Sequence, residues 1–279
     1  MSRRPQSRNT SRDLPVGPIS TTYATVELTT DNADPDGVML LIDGAESSHL
    51  DLADPSHLVF EYMQQMMGVL AETVTETRLR AVHLGGAGCS LARAIEAQWP
   101  NSRQIAVEWD PLLARYVREW FDLPRSPRLR IRVADAREAT ESFSAGSKDL
   151  LVRDVFVGRQ PPQHVQTVEF TRAVSSALSA QGLYLLNTAD RPPLPLARRE
   201  VATVAEVFEH VLLIAEPGVL KGRRYGNVVL AAAHHRLPAD RLARRMRSLP
   251  IPATVLDTAA TREFAGTFQP LTDPPDQAA

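Results

Sequence analysis

A single cysteine, Cys89, occurs in the 279 residues. One thiol can build neither an intramolecular disulfide framework nor a cysteine zinc site, and such sparing use fits a reducing cytoplasm, the expected location. Lysine is almost as scarce. Lys148 and Lys221 are the only two, so arginine supplies 29 of the 31 basic residues. Against 33 acids the formal net charge is −2, which excludes a global basic field drawing in nucleic acid or anionic lipid. No apolar run approaches the ~20 residues of a membrane span. The longest, VMLLI (38–42) and NVVLAAA (227–233), have the length of strands. The first twenty residues, MSRRPQSRNTSRDLPVGPIS, are charged and lack an apolar h-region, so they do not read as a secretory signal. There is no GxxxxGK[ST], which excludes a P-loop, and no metal-ligand pattern surrounds His234-His235.

What is present is a hydrophobic content of 43%, enough for a full core. Residues 1–20 and 266–279 lack periodicity and read as tails. Residues 21–56 hold strand-like pieces, TYATVEL, VMLLIDG and SSHLDLADP, and predict a small β-rich region of two or three strands. HLVFEYMQQMMGVLAETV (57–74) repeats apolar residues at helical intervals, so the Met63, Met66, Met67 stripe reads as core.

From residue 80 strands and helices alternate. AVHL (81–84), QIAVE (104–108), LRIRVA (129–134), DLLVRD (149–154) and GLYLLN (182–187) read as strands, with helical patterns at 89–98, 111–120, 163–180 and 196–208. Two further strands, HVLLIAE (210–216) and GNVVLAAA (226–233), follow with no room for a helix between them, and PADRLARRMRSL (238–249) predicts a closing helix. Repeated β-α units imply a parallel sheet with helices on both faces, and the last pair implies an antiparallel insertion. The expectation is an α/β, Rossmann-like class I AdoMet-dependent transferase fold with seven strands and a terminal antiparallel one. Its boundaries run 1–20 for a tail, 21–56 for the N-terminal β region, 57–250 for the main domain and 251–279 for a C-terminal extension and tail.

In such a sheet the ligand sits beyond the carboxyl ends of the strands. After the first strand comes Gly85-Gly86-Ala87-Gly88, where backbone can approach a ligand. Glu108 ends the second strand 23 residues past Gly85, suited to both ribose hydroxyls. Asp135, in VADAREA, follows the third and is suited to an exocyclic amino group, and Asp154 follows the fourth and faces the middle of the cleft. Each has a plainer alternative: a tight turn for the glycines, helix capping for Glu108 and Asp135, a surface charge for Arg153. Three acids at consecutive strand ends with one glycine turn favour a nucleoside site. A dinucleotide would want a glycine at Leu91, and a nucleoside with a sulfonium arm needs no phosphate grip. His83 and Cys89 read as packed core residues, and KGRRYG (221–226) as a basic loop, over the cleft or solvated.

The ordered blocks DGAESSHLDLADPSHLVFEYMQQM, VHLGGAGCSLARAI, VEWDP, VADARE, DLLVRDVFVG, TVEFTRAVSSAL and GRRYGNVVLAA resemble the spermidine synthases (polyamine aminopropyltransferases), nearest to the spermidine-synthase-like proteins of high-GC actinobacteria. The resemblance runs from about residue 36 to 236. It implies transfer of an aminopropyl group from decarboxylated AdoMet to a diamine such as putrescine, releasing methylthioadenosine, with no metal or prosthetic group and commonly as a homodimer. It implies Gly85, Gly86 and Gly88 at the nucleoside, Glu108 on the ribose, Asp135 with Ala136 at the base, Asp154 as catalytic acid-base group, and Tyr62 with Gln64 at the diamine. The chain departs from the family in three places. Gly88 stands where an Asp grips the donor's amino group, Val157 where a second acid follows Asp154, and Met63 where a Gln follows the tyrosine. Two alternatives follow: an AdoMet-dependent methyltransferase, with Gly88 leaving room for the carboxylate of intact AdoMet, and a non-catalytic nucleoside-binding homologue.

Overall fold

The apolar alternation between residues 25 and 51 builds an antiparallel sheet. The computed structural model describes residues 14–31, 34–158 and 160–275. In it β1 (Ile19–Ser20), β2 (Thr25–Asp31), β3 (Asp34–Ile42) and β4 (Ala45–Asp51) pair in sequence order. Most of the expected N-terminal tail, residues 1–13, lies outside the described residues. The rest does not read as a tail, because Leu14 and Ile19 pack against a core and β1 pairs with β2.

The helix α1 (Glu61–Thr73) leads into β5 (Arg80–Leu84), α2 (Ser90–Gln98), β6 (Arg103–Glu108), α3 (Pro111–Trp120), β7 (Leu129–Val133), α4 (Ala136–Glu141) and β8 (Lys148–Arg153). A single turn of 3₁₀ helix, Gln163–Val165, precedes α5 (Val168–Ala177). Then come β9 (Leu178–Asp190), α6 (Pro195–Ala205), β10 (His210–Ala215), α7 (Pro217–Leu220), β11 (Gly226–Ala233), α8 (Ala239–Arg247), β12 (Thr254–Leu256) and α9 (Thr258–Ala265). Side chains that accept from the first backbone N–H groups start four of these helices: Asp110 for α3, Asp135 for α4, Thr167 for α5 and Asp257 for α9.

The second sheet has the order β12-β10-β11-β9-β8-β5-β6-β7. β7, β6, β5, β8 and β9 are parallel, and β11 inserts antiparallel between β9 and β10. This is the class I AdoMet-dependent transferase arrangement, with all seven expected strands present. It carries an eighth, β12, which pairs antiparallel with β10 at the sheet edge. Three residues are too few for a periodic signal, so the expected C-terminal extension turns out to complete the sheet. A one-turn helix, α7, also fits between β10 and β11, where none was expected.

Period-2 alternation divides the buried side chains of the sheet between two faces. Ala81, Leu150, Leu185 and Val229 pack with α1, α2 and α8, and Val82, Leu151, Leu186 and Val228 with α4, α5, α6 and α9. The small sheet has its own core. Val26, Val38, Leu40 and Leu50 pack on Cys89 and Ala92, on Leu113 and Val117 of α3, and on Phe121 just after it. It thereby covers the amino end of α2, directly beside the glycine turn. Among the described residues no helix is long and apolar enough to cross a membrane.

Candidate functional site

Parallel strands ending at one level bring the expected residues to a common edge. Leu84 O accepts from Asp154 N at 2.9 Å, Val107 O from Gly85 N at 3.0 Å, and Glu108 O from Ala134 N at 3.1 Å. The ends of β5, β6, β7 and β8 are thus stitched together, with the glycine turn, Glu108, Asp135 and Asp154 along them. Gly85 has φ +84°, and a Cβ there would lie 2.1 Å from the Asp154 carbonyl oxygen. Only glycine lets the turn approach the Asp154 backbone so closely.

Gly88 is tight for a different reason. A Cβ built on it would meet Leu50 Cδ1 at 2.7 Å and Ser48 Cβ at 2.8 Å, and its own N–H donates to Ser48 Oγ at 2.9 Å. Strand β4 therefore fills the place from which the family's Asp would reach the donor. Position 88 therefore has no space for a side chain on the side that faces β4.

Glu108 and Asp135 both hold the protein's own N–H groups. Glu108 accepts from Ala87 N at 3.1 Å and from Asp110 N at 3.0 Å. Burial raises its pKa, partly offset by those backbone donors. Asp135 Oδ1 accepts from Arg137 N and Glu138 N at the start of α4, while Oδ2 lies 2.9 Å from His164 Nε2. Burial pushes this carboxyl up, but the Glu138 N–H and His164 outweigh it and hold the pKa below the ordinary value. The capping alternative therefore describes Asp135, at the start of α4, but not Glu108, since Asp110 caps α3. Ala136, the first residue of α4, is buried in the core beneath the turn. Arg137 donates to the His164 carbonyl and is clasped by Asp273 at 2.7 and 2.6 Å. The segment around Asp273 is thereby tied beside Asp135. Leu271, bonded to Val168 N and Thr203 Oγ1, fixes the same segment.

Asp154 is differently placed. Its Oδ2 accepts from the Tyr62 hydroxyl at 2.8 Å and its Oδ1 from Asn187 Nδ2 at 3.2 Å. Desolvation by the packed surroundings raises its pKa, against the pull of both donors and of Arg153. Tyr62 is buried, and burial together with the Asp154 charge holds its hydroxyl well above the usual phenol range, so it donates throughout. Tyr62 and Asp154 are brought together as expected, across 92 residues of chain. Gln64 is not: its amide donates to Leu58 O at 2.6 Å, across the start of the helix. Met63 is buried in the core, and Val157 is 73% exposed in the loop after β8.

Arg153 is no surface charge. It is 1% exposed, with Nη2 2.8 Å from Glu200 Oε1 and Nη1 bonded to the Val165 carbonyl. This buried pair anchors the segment after Asp154 to α6. His83 is held by Gln104 at 2.9 Å, and burial lowers its pKa to about 4, which keeps it neutral in the core. Burial pushes the Cys89 thiol up to about 12, leaving it unreactive at neutral pH. KGRRYG is exposed at the same carboxyl edge of the sheet, where Arg191 lies over the Tyr225 ring and Gly226 pairs with Asp190.

The residues that sequence reasoning missed are Asn187, Asn227, Glu61 and His164. Asn187 ends the apolar core of β9, so the rule applied to the first four strand ends would have named it at the fifth. Asn227 pairs beside Ala189, diagonal to Asn187, and donates to Glu61 Oε1 at 2.9 Å. No sequence pattern announces that contact, which spans 166 residues.

No family model matches the chain. The polyamine aminopropyltransferase of Neisseria meningitidis is 30% identical over 189 residues, which is 66% of this chain and 67% of that enzyme. A crystal structure of a probable spermidine synthase from Corynebacterium glutamicum superposes with a TM-score of 0.88 at 38% identity, covering 95% of this chain and 99% of that one. The chain belongs to the spermidine synthase family. The polyamine aminopropyltransferase of Chromobacterium violaceum is 32% identical over half of this chain, and the match spans 53% of that enzyme's length. The mouse eEF1A lysine and N-terminal methyltransferase is 31% identical over 50% of the chain, a match that spans 22% of that larger protein.

Proposed function

We propose that the protein is an aminopropyltransferase that moves the aminopropyl group of decarboxylated AdoMet to a diamine such as putrescine. One observation carries the reading. The Asp154 carboxylate, held by the Tyr62 hydroxyl and the Asn187 amide, stands at the end of β8 against the glycine turn. A neutral amine attacks the carbon next to the sulfonium. The new carbon–nitrogen bond forms as the carbon–sulfur bond breaks, and methylthioadenosine leaves. Asp154 positions the amine and accepts its proton, a role suited by a carboxyl whose pKa is raised towards the working pH. Glu108 exchanges its backbone partners for the ribose hydroxyls, and Asp135 reads the base amino group. Gly85, Gly86 and Gly88 let the nucleoside approach the turn, and no metal or prosthetic group takes part. A cytoplasmic homodimer belongs to the same proposal.

A second reading, methyl transfer from intact AdoMet, is favoured by the methyltransferase relative and by the absent acid at position 88. Against it weighs the higher likeness, over more of the chain, to the probable spermidine synthase and the polyamine aminopropyltransferases. Calorimetric titration with methylthioadenosine, AdoMet and decarboxylated AdoMet, each with and without putrescine, separates the readings. Decarboxylated AdoMet binding that putrescine strengthens, with spermidine formed on mixing, supports aminopropyl transfer. Preference for AdoMet moves the assignment to methyl transfer, and no nucleoside binding at all removes both.

A further inference from the structure

We infer that a basic cavity at the amino-terminal ends of β5, β6, β7 and β8 binds a linked di- or triphosphate, free or carried by a nucleotide. It lies at the opposite end of the strands from the candidate functional site. β5 begins at Arg80 and reaches the glycine turn after Leu84, which at about 3.3 Å per residue sets the two places roughly 16 Å apart. The cavity shares no residue with the proposed reacting centre.

The register of the strands builds it. Arg80 pairs beside Arg103, and Ile105 beside Arg130. Side chains two apart along a strand share a face. Arg80, Arg103 and Arg130 therefore stand together, on the face whose Val82 and Ile105 enter the core with α4. That helix has six residues, and its Ala136 and Ala139 share the core of Val107, towards the carboxyl ends. The amino ends are left to the arginines. Arg78, just ahead of β5, and Lys148, the first residue of β8, complete the rim of a cavity of about 290 Å³.

Five cations line this cavity and no acid does. Asp149, beside it, engages Arg80, at 2.8 Å from Nε and 2.5 Å from Nη2. Among the described residues no acid pairs with Arg78, Arg103 or Arg130. Lys148 donates to the Ser147 hydroxyl at 3.1 Å and lies 4.4 Å from the centre of the Phe143 ring. Burial and the Arg80 charge lower its pKa against the pull of Asp149, the mark of a cation held where positive charge already stands. Adjacent strands lie about 4.8 Å apart, and like charges side by side at that spacing repel. An anion relieves that repulsion. Guanidinium forks take phosphate oxygens two at a time, and the ammonium adds a point charge. Phosphates linked in a row run along the line of these strand ends, whereas a single carboxylate meets one fork. The plainer role of exposed arginines is a solvated cluster, which predicts a general response to salt and no saturable site.

The experiment titrates the full-length protein by calorimetry with inorganic tripolyphosphate, ATP and a short DNA oligonucleotide, in metal-free buffer at about 0.15 M ionic strength. Beside it stand Arg103→Gln/Arg130→Gln, Arg78→Gln and, as a control in the other exposed basic loop, Lys221→Gln/Arg223→Gln. All five substituted side chains are exposed, so the melting temperatures should match the wild type. The expected result is one saturable site whose Kd for tripolyphosphate rises about tenfold or more in Arg103→Gln/Arg130→Gln. It rises by a smaller factor in Arg78→Gln and stays unchanged in the control. ATP bound more tightly than tripolyphosphate upholds the cavity as a nucleotide site, and ATP bound equally or less tightly upholds it as a polyphosphate site. Absence of saturable binding overturns the inference, as does a Kd unchanged in Arg103→Gln/Arg130→Gln or a loss confined to the control. An oligonucleotide bound more tightly than either probe also overturns it, as the mark of an extended surface.

Discussion

The two halves of the cleft differ in how their acids are occupied. On the nucleoside side Glu108 and Asp135 hold the glycine turn, the start of α4 and His164. On the amine side Asp154 and Glu61 are linked through two amides that leave an acceptor over. The first pair is held by backbone N–H groups and a histidine, and the second by side-chain donors alone. Under the proposed reaction a nucleoside would exchange partners with the backbone at Glu108 and Asp135, whereas an amine would share Asp154 with Tyr62 and Asn187. The turn and the start of α4 are thus preorganised by Glu108 and Asp135, whereas Asp154 is held by a small network of side chains.

The largest break in this contrast is Asp154→Asn. Removing the proton acceptor should lower product formation by roughly 10²–10⁴-fold, while methylthioadenosine binding, measured by calorimetry, stays within a few-fold. Equal loss of both would merge the two halves into one unit. Next comes Gly88→Asp, which puts the family's acid back against Ser48 and Leu50. Overpacking of that kind costs about 1–3 kcal/mol, readable as a lower denaturation midpoint, and a fully stable variant with tighter decarboxylated AdoMet binding would show that β4 yields easily.

Tyr62→Phe sharpens the amine side. The carboxylate is the working form of Asp154, and its pKa is already raised by desolvation. Activity therefore falls as pH drops through that raised value. Removing the Tyr62 donor removes a contact that favours the charged form, so the pKa rises further. The acid limb of kcat/KM should move up by about one pH unit; a downward shift would contradict Tyr62 as a donor to the carboxylate. The smallest effect belongs to the nucleoside side. His164→Gln lets go of Asp135 Oδ2 or holds it more weakly, so methylthioadenosine affinity should stay within about threefold or improve. A large loss would mean that His164 itself meets the base.

Regular elements with long apolar patterns were legible, including the seven strands that carry the site. The edge strand β12 was not, because three residues carry no period. Asp154, Glu108 and Asp135 could be located because a parallel sheet presents its strand ends on one side, and a position in sequence then becomes a position in space. Their partners were hidden for the opposite reason. Asn227 reaches Glu61, and β4 reaches Gly88, only through contacts between elements far apart in the chain. Gln64 looked like a site residue because the family places a glutamine beside the tyrosine matched by Tyr62, yet on a helix a side chain two positions away points elsewhere, and this one folds back to Leu58. Arg153, beside Asp154, reads as a surface charge in sequence and proves to be a buried tether, since alternate residues of a strand face opposite ways.

The packing of Ser48 and Leu50 over Gly88 also couples two parts of the chain that lie forty residues apart. A larger side chain at 88 is admitted only if β4 moves with it, so a change at either place is felt at the other.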